Sequence, residues 1–245
     1  MKGFVRRLAV LLVVLGLGVS IIPAPTEAVI ITSSNGLLSA SVSFTVDASN
    51  NLVVTLTNTS AADVLVPSEV LTAVFFDLAG VGALTPISAV LTGGSVVLYD
   101  AQPAGGNVGG EWGYASGLAG APLGATEGIS STGLGLFGQP NFNGPNLAPP
   151  DALDGLQYGI VSAGDDDATG NGGITGSGGL IKNSVTFTLS GLPSGYSLTD
   201  SSISNVFFQY GTSLEVPAPA TITLVGLGLL GAAAIGRLRR FRRKK

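Results

Sequence analysis

The sequence predicts an all-β domain, an antiparallel β-sandwich or jelly roll with long Gly-rich loops, framed by an apolar segment at each end. Three observations predict it: apolar and hydroxyl side chains alternate with a period of two, helical patterning is nearly absent between the termini, and Gly, Pro and Asn interrupt the chain repeatedly. From Leu38 onward, Val42, Phe44 and Val46 point one way while Ser41, Ser43, Thr45 and Asp47 point the other. Residues 48–51 break the run, and Leu52, Val54 and Leu56 then alternate against Thr55 and Thr57. Two half-buried strands joined by a short turn explain this pattern, and Asn58, Thr59 and Ser60 close the second.

Further strands are expected at 71–78, 95–99, 155–161, 184–190 and 203–210. Val185, Phe187 and Leu189 are the core face of the fourth of these. Residues 102–150 are dense in Gly, Pro and Asn, and 165–179 are almost devoid of apolar side chains, so both are expected as long loops within one domain.

Charge divides the chain. Lys2, Arg6 and Arg7 stand at the start, and seven of the last nine residues, Arg237, Arg239, Arg240, Arg242, Arg243, Lys244 and Lys245, are basic; between these ends only Lys182 is a cation. Residues 1–28 have the basic start, apolar run and small-residue exit of a secretory signal peptide, with cleavage expected after Ala28 by signal peptidase following Sec-type export. Residues 220–235 form an apolar segment directly before the basic tail 237–245, which is expected to stay cytoplasmic and set the topology. As a helix this segment reaches about 24 Å. A hydrocarbon layer is roughly 30 Å thick, so flanking residues and snorkelling of Arg237 and Arg239 must help it span.

What lies between, residues 29–216, is the expected extracytoplasmic domain, with fourteen acids and one lysine for a formal charge of −13. Such a balance excludes nucleic acid as a partner, because binding it needs a basic footprint. Cysteine and histidine are both absent, which removes disulfide staples, the usual imidazole base and the commonest metal ligand. No cofactor and no metal site are expected.

Several residue groups are candidate sites. Trp112 and Tyr114 are candidates for ligand contact, as flat aromatics on which a sugar ring could stack, although a lone Trp in a Gly-rich stretch is more often a core or loop-packing anchor. Asp165, Asp166 and Asp167 form an acidic run superficially like a calcium loop, yet Gly176 stands where a standard EF-hand loop needs glutamate. Glu111 with Glu127, or Asp151 with Asp154, offers carboxylates for glycoside hydrolysis, but that chemistry needs a fixed separation that sequence distance does not measure. The expectation is a protein that is not an enzyme.

The order Val216, Pro217, Ala218, Pro219, Ala220, Thr221, then an apolar segment, then an Arg-rich tail resembles the PEP-CTERM sorting signal. Pro217, Pro219, Ala220 and Thr221 match that family's motif, while Ala218 stands where the family has glutamate. The resemblance implies an exosortase-like membrane protease as partner, an inner-membrane-anchored intermediate, and release to the cell surface or extracellular matrix. Residues 111–114, 128–138, 153–155 and 203–211 also look like the body of exosortase-dependent surface proteins of bacteria that make extracellular polysaccharide. Together these imply a structural or adhesive role with polysaccharide as a candidate partner. The alternative is a carbohydrate- or calcium-binding module anchored permanently by a single C-terminal transmembrane helix.

Overall fold

The computed structural model describes residues 28–138, 141–144, 153, 155–169, 174 and 178–214. The expected signal segment before Ala28, and the sorting motif, transmembrane segment and basic tail from residue 216 on, lie outside the described residues. Among those described, no helix is long and apolar enough to cross a membrane.

The domain is all-β, built as a five-stranded and a seven-stranded sheet. In chain order the strands are β1 (Val29–Asn35), β2 (Leu38–Val46), β3 (Leu52–Asn58), β4 (Leu71–Leu78), β5 (Thr85–Leu91) and β6 (Val96–Leu98). They continue with β7 (Gly113–Ser116), β8 (Glu127–Ser130), β9 (Ile160–Val161), β10 (Leu180–Lys182), β11 (Ser184–Ser190) and β12 (Ile203–Tyr210). The five-stranded sheet runs β1-β2-β3-β11-β5, entirely antiparallel. Its inward residues, Val42, Phe44, Val54, Leu56, Val185 and Phe187, are fully buried.

Alternation predicted β2, β3 and β11 because one face of this sheet packs on the core and the other does not. The β2–β3 turn is held by Asp47, whose Oδ1 accepts from the Ser49 and Asn51 backbone N–H groups at 2.8 and 2.9 Å. Its other oxygen accepts from the Asn51 side-chain amide at 3.0 Å. Partial burial opposes ionisation here, but the bonds from Asn51 and Ser49 outweigh it and hold the carboxyl below its usual range. Asp47→Ala is expected to cost roughly 1–2 kcal/mol in chemical denaturation, since it releases three donors in one turn. An unchanged midpoint would show that water replaces the carboxylate without loss.

In the other sheet β4 is the hub. Along one edge it pairs with β12, and along the other with β8 at Ala73–Phe76 and with β9 at Leu71. From β9 the sheet continues through β10 to β6, and from β8 to β7. One pair departs from the expected antiparallel pattern: β9 and β10 run parallel. The long 162–179 connection permits this, because parallel neighbours need a crossover and not a tight turn.

The strand expected at 155–161 shortens to Ile160–Val161, since residues 155–158 form turns and Tyr158 takes a positive φ of 56°. β1, β5, β7, β8 and β10 were not foreseen as strands.

Both sheets contribute to one core, in which the Phe44 and Phe76 rings meet edge to face with centroids 5.1 Å apart. β4 is nearly continuous in apolar character because it is buried on both faces. Val74, Phe76 and Leu78 face the inter-sheet core, while Ala73 and Phe75 join Leu118, Ala121, Ala125 and Phe137 beneath the Gly-rich segment outside. That segment is therefore a packed outer layer, with Phe75 and Phe137 in ring contact at 5.7 Å.

Candidate functional site

The two loop aromatics are not a stacking platform. Trp112 is 0 % exposed and Tyr114 2 % exposed, so neither presents a face to a ligand. The reason lies in the approach path of the 102–112 loop. Val108 donates to the Ala89 carbonyl at the edge of β5, and Phe142 donates to the Trp112 carbonyl, drawing the indole inward between the sheets. There it meets Phe187 with centroids 4.9 Å apart, and Phe142 meets the same ring at 5.2 Å.

Gly109 is what lets the loop close. A Cβ at that position would overlap the Asn143 carbonyl oxygen. Gly109→Ala is expected to lower the melting temperature by several degrees, as overpacking costs of about 1–3 kcal/mol do in a domain of this size. An unshifted transition would mean that the 141–144 segment yields freely.

Tyr114 instead clamps the core edge. Its hydroxyl donates to Glu127 Oε2 at 3.1 Å and accepts from the Leu84 N–H at 3.2 Å. Burial and the nearby Glu127 push the phenol above its usual range. Burial likewise pushes Glu127 up to about 7; the Tyr114 bond opposes this and the Asp77 charge adds to it. Glu111 is also buried, but its charge bears on Tyr158, whereas Glu127 responds to Tyr114 and Asp77. Asp151 and Asp154 lie outside the described residues.

The acidic run at 165–167 serves the backbone. Asp165 Oδ1 accepts from the Val64 N–H at 2.9 Å, Asp63 Oδ1 accepts from the Asp166 N–H at 3.0 Å, and Lys182 Nζ donates to the Asp165 carbonyl. Burial raises the Asp165 carboxyl, and its bond to Asp63 adds to the shift. Among the described residues no group of three or more acidic side chains is arranged to hold a metal ion.

A different surface stands out, and sequence reasoning missed it. None of β1, β2, β3, β5 and β11 carries an Asp, Glu, Lys or Arg. The strand register lines their outward hydroxyls into cross-strand rows. One row runs Thr32, Ser41 and Thr57 and ends at Ser184, which is buried against Ser95, and the next runs Ile30, Ser43, Thr55, Thr186, Val90. A third runs Thr45, Val53, Thr188, Ser88.

Neighbouring hydroxyls bond laterally, Thr55 to Thr186 at 3.1 Å and Thr92 to Thr186 at 3.0 Å. Such β-branched residues suit a half-exposed pleated surface and stabilise cross-strand pairs. Each hydroxyl can both donate and accept, so the face can hydrogen-bond another hydroxyl-rich surface. The alternation of Ser and Thr on β2, β3 and β11 was the readable signal, but their alignment across strands far apart in sequence was not.

Fold and surface define an all-β domain on two sheets with a charge-free outer face on one of them. No family model, curated protein or solved structure matches the chain.

Proposed function

We propose that the chain is an exported surface or extracellular-matrix protein with a structural or adhesive role, processed through its C-terminal sorting signal. In this reading a β-sandwich is flanked by a signal helix over residues 1–28 and a transmembrane helix over 220–235. Signal peptidase removes the first, and an exosortase-like protease acts at residues 216–221, where two prolines keep the backbone extended beside the membrane.

The observation that carries the adhesive part is the charge-free hydroxyl face. In a domain of formal charge −13 it is the surface on which a neutral or acidic polysaccharide can lie without repulsion. The sorting part is supported by the order of motif, apolar segment and basic tail.

Intact mass and terminal peptides of the protein recovered from the surface of its native host test this reading. The expected result is loss of the N-terminal segment and of residues beyond the 217–221 region. Retention of 222–245 in membrane-bound mature protein would instead make the chain a permanently anchored one, with Ala218 as the position at which the motif fails.

A further inference from the structure

Sheet edges expose rows of unpaired backbone groups, and a protein that is to stay monomeric must blunt them. Four of the five edge strands here are blunted by identifiable devices. β5 contains Pro86, shifts register beside Leu189, and is bridged at Ser88 by Asn143 and at Val90 by Asn107. β6 is three residues long, and the Gln102 side-chain amide bonds both the N–H and the carbonyl of Val97. β7 is bridged at Gly113 by Asn141. β12 shifts register twice and carries Asn205 at a φ of 51°.

β1 has none of these. Its seven residues, Val-Ile-Ile-Thr-Ser-Ser-Asn, pair with β2 without a shift, and they include no proline and no charge. Among the described strands β1 pairs with β2 alone. It is also tightly fixed to β2, because Gly36 at a φ of 62° and Leu37 form a two-residue turn.

In such a hairpin the flanking pair Asn35–Leu38 exchanges both its bonds, and the alternation continues down the ladder. The odd residues from Val29 to Asn35 therefore bond β2, while Ile30, Thr32 and Ser34 direct their N–H and C=O groups away from the sheet.

We infer that β1 pairs with β1 of a second copy of this chain, antiparallel and centred on Thr32. The outward groups are then self-complementary. Thr32 exchanges two bonds with Thr32 of the other copy, and Ile30 exchanges two with Ser34 in each direction, which is the two-fold relation a closed dimer requires. Two five-stranded sheets become one continuous sheet, and the hydroxyl rows run across the junction. Charge supports a second copy as the occupant. Two acidic domains repel wherever carboxylates face each other, and along β1 itself there are none: Asp63 and Glu69 beside Leu37 and Leu38, and Asp200 beside Val29, flank only its ends. Ile30, 64 % exposed on this edge, loses water on pairing.

The absence of cysteine from the chain makes the test direct. In the full chain, Thr32→Cys is expected to give a disulfide-linked dimer under mild oxidation, seen on a non-reducing gel. Ile87→Cys, on the far edge of the same sheet, is expected to form no disulfide-linked dimer. Adding Ile30→Lys to Thr32→Cys is expected to suppress the cross-link by placing a charge at the paired edge. Without oxidation, wild type is expected to sediment as a concentration-dependent dimer. Thr32→Pro, which removes only an outward N–H, is expected to sediment as a monomer. The inference is overturned if Thr32→Cys cross-links no faster than Ile87→Cys, if Ile30→Lys leaves the cross-link intact, or if wild type sediments as a monomer at its highest soluble concentration. If Thr32→Pro does not fold, the cysteine pair still decides.

Discussion

Trp112→Ala is expected to lower the unfolding free energy by about 3–5 kcal/mol, the range for truncating a fully buried large aromatic. Trp112 is the largest of the fully buried side chains, and its ring contact with Phe187 ties the 102–112 loop to the middle of β11. Phe142 touches the same Phe187 ring, so the cavity would open between two loops and a central strand and could not close by movement of one of them. Trp112→Phe is expected to cost much less. It keeps the aromatic contact and removes an indole Nε1 that is buried without a hydrogen-bond partner among the described residues. Urea midpoints of the three proteins check this. If Ala and Phe were equally harmful, the effect would belong to the part of the indole that Phe lacks and not to the ring contact with Phe187, and if both were harmless, the loop would not be anchored through this residue.

The same residue shows what sequence could and could not reveal. A tryptophan in a Gly-rich stretch reads more readily as a packing anchor than as a ligand platform, and the burial of Trp112 agrees, but what it anchors depends on where the loop returns, and that is set by contacts with Ala89 and Asn143. β2, β3 and β11 were legible because each buries one face, so alternation of Phe44, Val54 and Phe187 with Ser and Thr records the core directly. The short strands β7, β8 and β10 were not. Their buried patterns, such as Glu127-Gly-Ile-Ser, arise from the inter-sheet core on one side and a packed outer layer on the other and carry no period. β1 was hidden by its own exposure, since Thr32, Ser33, Ser34 and Asn35 are exposed on both faces and show no alternation of apolar and polar side chains. The hydroxyl face was legible residue by residue and illegible as a surface, because the register that aligns Thr55 with Thr186 is a long-range fact.

Stability is expected to fall as pH rises from about 5 to 8, and Glu127 is the reason. Burial in β8 is the main cause that lifts its carboxyl from 4.5 to about 7, against the opposing Tyr114 bond and with the Asp77 charge reinforcing it. Between those two values the folded chain holds a proton that the unfolded chain has released, so raising pH favours unfolding. The contribution is complete below about 4.5 and is lost by the time pH passes the folded value near 7. A shift of that size corresponds to about 3 kcal/mol. Asp47 and Asp77 act in the opposite sense but in another window. Although burial alone would raise both, hydrogen bonds hold them below their usual range, so their contribution is lost only as pH falls beneath about 4. Glu127→Gln separates the two windows, because the amide can still accept from the Tyr114 hydroxyl while having no proton to release. The variant is expected to match wild type near pH 5, to exceed it in urea midpoint at pH 8, and to lose most of the slope between. A variant with the wild-type slope would assign the pH dependence to general repulsion within the acidic domain, and Glu127 would then be a charged group solvated through the edge of its sheet.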